Sequence, residues 1–345
     1  MLDYKLKCKN EDFEVTEIPL LPPLFSKNSS SYTYLWLEKS GLTTFEAQEE
    51  IGEFFKVTNV DVNSEGLKDE NAVTFQIVSL KKILSTKETE EFNKHYSCER
   101  RKLTVSHVIG YGKEPVSERM LHGNSFKIVI RNLDEDVAKK FNAFCANNRF
   151  ATFINYYDSQ RFGMAGGPYN AHLIGKAIVE NNWQEAFLQF QKSRNALNLG
   201  TNDISIQAPA KEFFKTINPK KLSFFVSAYY SYLWNEAASL QLQQLNQGKF
   251  YSFENVGKLF LPSDHTFLSF NVCSIPGVNY FLETDRLVHD KIITRNLTVS
   301  PIVFPLSIEK DELHPGKTKL TVSFFLPSGC YATMLIRQLF FKLNL

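Results

Sequence analysis

The hydrophobic period of this chain changes twice, and each change limits the fold. Phe13, Val15 and Glu17 share one parity, Tyr32 to Leu37 is a strand-like aromatic run, and Val73, Phe75 and Ile77 alternate within Ala72 to Leu80. A period of two belongs to a half-buried strand. Phe126 to Arg131 reads the same way. Two amphipathic helices interrupt the pattern. One follows the capping box Thr43-x-x-Glu46, with Ala47, Ile51, Phe54 and Phe55 as its stripe. The other runs from about Asp134 to Asn147 and aligns Val137, Phe141, Phe144 and Cys145. From about residue 169 to 247 the period is helical: His172 to Glu180, Trp183 to Phe190 after a break at Asn181-Asn182, then Leu222 to Gln247 with Gly248 as C-cap. Strand alternation returns at Lys317 to Leu326, followed by a turn at Pro327-Ser328-Gly329 and a helix to Leu343. Strands, helices, then strands predict an α+β sheet domain interrupted by a helix-rich insertion. The 345 residues suffice for two domains.

Aromatic content is high, with 30 Phe, 14 Tyr and 3 Trp. Most of these rings belong in the core, and some can serve as stacking platforms. The net charge of +2, from 39 Lys+Arg against 37 Asp+Glu, excludes a histone-like polycation. Nucleic-acid binding then requires a local basic groove. Five widely spaced cysteines, with no CxxC and no HExxH, predict neither a disulfide framework nor a metal site. The longest apolar run, Leu222 to Trp234, is interrupted by serines. It falls short of the ~18–20 residues of a membrane span. The N-terminus is charged throughout and lacks the apolar stretch of a signal peptide. These features predict a soluble cytoplasmic protein with no membrane contact.

Three blocks carry candidate chemistry. In Gly66 to Gln76 (GLKDENAVTFQ) a glycine opens a polar loop, Asp69 sits at its tip and a strand carries it away. This arrangement presents one carboxylate from a rigid element, and it equally suits a plain surface turn. The GxxxxGK[ST] spacing of a P-loop is absent. In Asn155 to Gly163 (NYYDSQRFG) the forked guanidinium of Arg161 suits a phosphate, and Asn155 and Gln160 suit base edges. A capped loop entering the helical segment accounts for the same residues. In Leu326 to Thr333 (LPSGCYAT) Tyr331 follows a turn and opens a helix, where it stacks on a base or plugs the core.

Taken in order, DFEV (12–15), GLKDENAVTFQ (66–76), LHGNSF (121–126), NYYDSQRFG (155–163), SAYYSYLWN (227–235) and LPSGCYAT (326–333) resemble the TruD family of tRNA pseudouridine synthases over nearly the whole chain. The resemblance implies a catalytic domain on a mixed, mostly antiparallel sheet, formed by residues 1–154 and 306–345. It implies a family-specific insertion domain over 155–305. The implied activity is isomerisation of uridine 13 of tRNA, extended to other RNAs in eukaryotic relatives, without cofactor or metal. By motif, Asp69 takes the place of the essential aspartate, and Asn124 and Phe126 match positions lining the uridine pocket. Phe13 and Tyr331 match substrate-site aromatics, and Lys7, six residues before Phe13, matches a lysine near that aspartate. The chain departs from the family pattern at Tyr331, which is Phe in some members, at Asp158, where Gly is common, and at Gln338, which replaces a frequent Glu.

Making pseudouridine breaks the C1′–N1 bond, turns the uracil and rejoins it through C5. One ionised carboxylate suffices, either attacking C1′ as a nucleophile or removing the C2′ proton as a base. Lys7 is the expected charge partner of Asp69. Lys68 is the local alternative, expected to point away because neighbours on an extended chain face oppositely. The target base must leave its stack, at a cost of a few kcal/mol. Stacking on Phe13, Phe126 and Tyr331, at ~1–3 kcal/mol per base, would offset that cost. Candidate RNA-backbone contacts are Lys81-Lys82, Arg100-Arg101-Lys102, Lys139-Lys140, Arg161 and Lys220-Lys221, while His122 reads as structural. The expected partner is tRNA, and the absence of heptads favours a monomer. Two rival readings stand beside this one. The first is a hydrolase pairing Asp69 with Glu65 or Glu70. The second is a non-catalytic RNA-binding or chaperone protein of the same fold.

Overall fold

Alternating apolar residues build one large sheet at the two ends of the chain, and helices with short hairpins fill the middle. The computed structural model describes residues 3–96, 102–117, 120–147, 150–163, 167–193, 210–217, 219–245, 247–263, 272–275, 280–282, 286–288 and 292–343. The chain divides into two compact units. The first comprises Met1–Ala151, Pro301–Ala332 and Leu339–Leu345, and the second Thr152–Ser300 with Thr333–Gln338.

In chain order, the first unit begins with β1 (Phe13–Pro19), β2 (Tyr32–Ser40), α1 (Thr44–Phe55), β3 (Val62–Ser64), β4 (Val73–Leu80), α2 (Thr86–His95), β5 (Lys102–Gly112), β6 (Leu121–Leu133) and α3 (Glu135–Asn147). The second unit holds β7 (Phe153–Ile154), α4 (Ala171–Val179), α5 (Trp183–Lys192), α6 (Ala210–Thr216) and α7 (Pro219–Leu245). It continues with β8 (Gly248–Phe253), β9 (Gly257–Pro262), β10 (Val272–Ile275), β11 (Tyr280–Leu282), β12 (Arg286–Val288), β13 (Ile293–Asn296) and β14 (Thr298–Val299). The chain then returns through β15 (Val303–Lys310), β16 (Thr318–Pro327) and α8 (Ala332–Lys342).

The large sheet has the order β15-β16-β6-β1-β4-β2-β5, with β3 added to β4. Its pairings are antiparallel except β1 with β4. One row of side chains crosses five strands on one face: Phe324, Phe126, Val15, Thr74 and Lys39. In the next row Leu326, Asn124 and Glu17 are neighbours, as are Gln76 and Leu37. On this face α1 and α2 bury Ala47, Ile51, Phe55 and Phe92 against Leu35, Leu37, Val78 and Leu80. Helix α1 begins at the predicted capping box: Glu46 N donates to Thr43 Oγ1 (3.1 Å) and Thr43 N to Glu46 Oε2 (2.8 Å). Helix α3 packs on β15 and β16. The buried Arg131 of β6 clamps the chain ends together. It donates to both oxygens of Asp12 (2.8 and 2.7 Å) and to Asp311 Oδ1 (2.8 Å).

In the second unit, α4 to α7 enclose Ile174, Ile178, Phe187, Phe190, Phe214 and Phe225. Two-stranded pairs follow, among them β8 with β9 and β10 with β13. The second unit is therefore not built from helix alone. Gly248 is the first residue of β8 and not the C-cap of α7. A Cβ there would lie 2.2 Å from the Leu261 carbonyl oxygen, so close strand approach explains this glycine. Among the described residues, no helix is long and apolar enough to cross a membrane.

Candidate active site

The loop between β3 and β4 carries Asp69, and neighbouring backbone and side chains pin it on several sides. Lys68 N donates to Thr44 Oγ1 (2.8 Å) and Gly41 N to Glu70 O (3.1 Å). The buried Lys39 ammonium, at the end of β2, donates to the carbonyls of Asp69 and Leu42, both at 2.8 Å. A carboxylate on such a loop has a defined direction. Asp69 Oδ2 accepts from Lys7 Nζ at 2.8 Å, with the two side chains 20% and 24% exposed. Lys7 reaches this position from the left-handed backbone region, at φ 57°. Such a conformation is uncommon for a residue other than glycine. Its ammonium also lies 4.3 Å from the centroid of the Phe13 ring. Phe13 meets Phe126 edge to face (6.1 Å), and Phe126 stacks on Phe324 (5.4 Å). Lys7 and Phe13, Asp69, and Phe126, from three separate stretches of the sequence, thus form one chain of contacts. Phe13 and Phe126 are 2% and 7% exposed, so in this state they form an apolar wall beside the ion pair, not an open platform.

A second charged group sits next to the Asp69 loop. Lys68 Nζ lies 2.5 Å from Glu17 Oε1, and both side chains are buried. Lys68 is therefore engaged by Glu17, and Lys7 is the lysine hydrogen-bonded to the Asp69 carboxylate. The parallel pairing of β1 with β4 covers Glu14 to Thr16, and just beyond it Ile77 N donates to Glu17 Oε2 (2.8 Å). Burial pushes the Glu17 carboxyl up, against the pull of Lys68. Glu65 is 1% exposed. Burial first, then the charge of Glu17, pushes its carboxyl up to about 8. This buried, neutral-leaning acid is poorly suited to activating water, and Glu70 is exposed.

Asn124 lies opposite Glu17 in the β1–β6 register, and its Oδ1 is buried without a hydrogen-bond partner among the described residues. It follows Gly123, where a Cβ would lie 2.3 Å from the Leu326 carbonyl oxygen. Glycine is thus required for β16 to lie so close. The turn after β16 is tied to the same motif: Ser328 N donates to His122 O (3.1 Å), and Gly329 takes φ 82°. Tyr331 follows that turn as the half-buried residue preceding α8. His122 stacks on Phe325 at 5.4 Å.

Arg161 belongs to the second unit. Its Nε donates to Ser231 Oγ (2.9 Å), and its guanidinium lies 5.6 Å from the Phe224 ring and 5.9 Å from that of Tyr157. Asn155 does not present a base-reading edge. It is 3% exposed. Its Oδ1 accepts from Arg295 and its Nδ2 donates to Asn296 O. Asp158, also buried, accepts from Ser159 N, from Arg337 Nη1 (3.0 Å) and from the Thr333 hydroxyl. Gln338 accepts from Ile154 N (2.8 Å) and donates to Ile154 O (2.7 Å), and the second bond is one that an ionised carboxylate could not donate. Most basic clusters are paired with acids: Lys81 with Asp61, Lys82 with Glu88, Lys102 with Glu38 and Lys139 with Glu135. Arg100, Arg101 and the side chains of Lys220 and Lys221 lie outside the described residues. Among the described residues, no three His, Cys, Asp or Glu side chains converge as metal ligands.

Comparison with known proteins addresses the same residues. The family model described as tRNA pseudouridine synthase D (TruD) matches residues 2–197. The tRNA pseudouridine synthase D of Leptospira interrogans is 27% identical over 413 aligned positions, covering 99% of this chain and 97% of the relative. That of Aquifex aeolicus is 25% identical and covers 98% of each. The crystal structure of a TruD protein from Methanosarcina mazei is similar in fold, with a TM-score of 0.56 at 21% identity over 99% of this chain and 93% of that one. The family match spans more than half of the sequence and includes the Asp69 loop, so the chain belongs to the TruD family of tRNA pseudouridine synthases, which are isomerases.

Proposed function

We propose that this chain converts uridine 13 of tRNA to pseudouridine with Asp69 as the single carboxylate of the reaction. The supporting observation is the contact between Asp69 Oδ2 and Lys7 Nζ at 2.8 Å, on a pinned loop beside an apolar wall. In this reading residues 1–154 and 306–345 form the catalytic domain and 155–305 the insertion domain. Isomerisation is redox-neutral and neither adds nor removes water, so the reaction as proposed needs no cofactor. Asp69 either forms a bond to C1′ or takes the C2′ proton, and both routes require the ionised form. The Lys7 ammonium stands 2.8 Å from Asp69 Oδ2 and holds that side chain by a charge-assisted hydrogen bond. Once C1′–N1 is broken, the uracil must stay within reach and water must stay away from C1′. The rings of Phe13 and Phe126, linked to the carboxylate through Lys7, supply the apolar wall for both purposes. Asn124, through its unsatisfied Oδ1, is assigned to a donor on the uracil edge. Tyr331 is assigned to stacking on the everted base, and Arg161 to an RNA phosphate.

The test is Asp69→Asn, read by mapping pseudouridine in tRNA transcripts under single turnover. The expected loss is about 10³-fold or more, with RNA affinity largely kept. Full activity in that variant would remove Asp69 from the mechanism. A wild-type chain that binds tRNA without isomerising it would favour the RNA-binding reading, and released free uracil would favour the hydrolase. Pseudouridine forming only at another position would refute the assignment to uridine 13 and leave the synthase reading standing.

A further inference from the structure

Lys39 is fully buried, yet no carboxylate neutralises it through a hydrogen bond among the described residues. Its ammonium is held by main-chain carbonyls: Leu42 O and Asp69 O at 2.8 Å, and Lys68 O at 3.5 Å. It stands in the row of Val15, Phe126 and Phe324, a run of otherwise apolar or uncharged side chains. A buried cation in such a row costs stability, and an apolar side chain of similar volume would pack there without that cost. What Lys39 does instead is fix two successive peptide groups of the Asp69 loop, and with them the direction in which the Asp69 side chain leaves.

Resting on the reading of Asp69 given above, we propose that Lys39 is a positioning residue for the isomerisation, holding the Asp69 backbone from beneath while Lys7 engages the carboxylate from the other end. Lys39 touches neither substrate nor reacting atoms in this role. Its ammonium donates to the Asp69 and Leu42 carbonyls in charge-assisted bonds; the neutral amine keeps two N–H groups but loses the charge that strengthens both. The charged groups facing it are Asp69, Lys68 and Glu70 on the loop and Glu46 on α1. Burial pulls the Lys39 ammonium down to about 8, against the opposing pull of Asp69. Because the folded value lies below the ordinary 10.5, the charged lysine opposes folding at neutral pH, and the opposition fades as pH rises from 8 to 10.5. Replacing Lys39 with an apolar residue removes that cost but also takes a donor from the Leu42 and Asp69 carbonyls, so its two effects on stability oppose each other.

The experiment uses the full chain, tRNA transcripts and single-turnover rates from pH 6.5 to 9.5. Lys39→Met is expected to lose about 100-fold in rate, as for a reacting group displaced by about 1 Å. Its affinity for tRNA should stay within about threefold and its melting temperature should move by only a few degrees, as the two opposing effects offset. The wild-type rate should fall as pH passes about 8. Lys39→Arg, which keeps its charge, should retain activity and shift that fall to higher pH. A wild-type rate in Lys39→Met would overturn the proposal, as would an unshifted alkaline fall in an active Lys39→Arg. If Lys39→Met unfolds, Lys39→Gln decides. Loss of both activity and melting temperature in Gln as well would make Lys39 a packing residue, whereas a stable but slow Gln variant supports the proposal. Asp69→Asn runs alongside. If it stays active, the underlying reading of Asp69 fails. If it is inactive while Lys39→Met is fast, only the role of Lys39 fails.

Discussion

At the scale of single residues, Lys7 and Tyr331 separate electrostatics from stacking. Lys7 holds a left-handed backbone, a conformation that costs of order 1–3 kcal/mol for a residue with a side chain. The contacts offsetting that cost are the hydrogen bond to Asp69 and the approach to the Phe13 ring. Lys7→Met keeps a comparable stem and removes the charge. It should slow the single-turnover rate about 10–100-fold while weakening tRNA binding much less. An unchanged rate would dissociate Lys7 from the carboxylate it touches. At Tyr331, the ring and the hydroxyl make different predictions. If the ring stacks on the base, Tyr331→Phe stays near wild type, while Tyr331→Ala forfeits ~1–3 kcal/mol, read as a 5- to 150-fold loss of rate or affinity. Equal losses in the two variants would transfer the role to the hydroxyl.

At the scale of elements, the close contact of β6 with β16 connects the fold to the site. A methyl group added at residue 123 would meet the Leu326 carbonyl and the Phe325 ring. The carbonyl belongs to a paired strand and has little room to move. Gly123→Ala should cost about 1–3 kcal/mol, seen as a drop of several degrees in melting temperature. The adjacent Asn124 would shift with it, so activity should fall further than stability explains. A variant with normal melting and normal rate would show that this strand end is loose. The same strands show what a sequence reveals. β1 was legible because its alternation is clean, β2 as an aromatic run, β4 from the parity of Val73, Phe75 and Ile77, and α1 from its capping box. Most residues of β2 and β4 are nevertheless buried on both faces. β5 was not, because two register shifts against β2, at Tyr34/Leu35 and Trp36/Leu37, break its period. The strands between residues 248 and 299 have two to six residues, too short for a period to show. Within the site, the Asp69 loop was visible as a glycine-opened turn carrying an acid, but Lys7 lies in an irregular stretch and only family resemblance singled it out. Lys39 and Glu17 left a signal in the parity of their strands, each a charge at a position where its neighbours face the core. Asn155 was misjudged because an amide in a polar motif looks exposed in sequence, and here its neighbours consume it.

At the scale of the whole molecule, two buried acids bend the stability profile in opposite directions. Burial pushes the Asp311 carboxyl upward, but backbone hydrogen bonds from Asn132 and Leu313, with His314 and Arg131, outweigh it and leave a value of about 2 against an ordinary 3.8. Its contribution to folding is therefore complete above pH 3.8 and lost as pH falls towards 2. Glu65 behaves in the opposite way. Its folded value of about 8 exceeds the ordinary 4.5, so the fold favours the neutral acid, and stability declines as pH rises from 4.5 to 8. Together they predict a thermal optimum on the acid side of neutrality, between the loss of the Asp311 network and the ionisation of Glu65. Glu65→Gln keeps the shape and removes the titration. It should leave melting near pH 4.5 almost unchanged and raise it at pH 8 by about 2–5 °C. Parallel declines in the wild type and Glu65→Gln over that interval would mean that Glu65 ionises without the cost that its burial implies. If the declines diverge as expected, the acid beside the Lys68–Glu17 pair is protonated under assay conditions, and the lysine then has one buried carboxylate to neutralise instead of two.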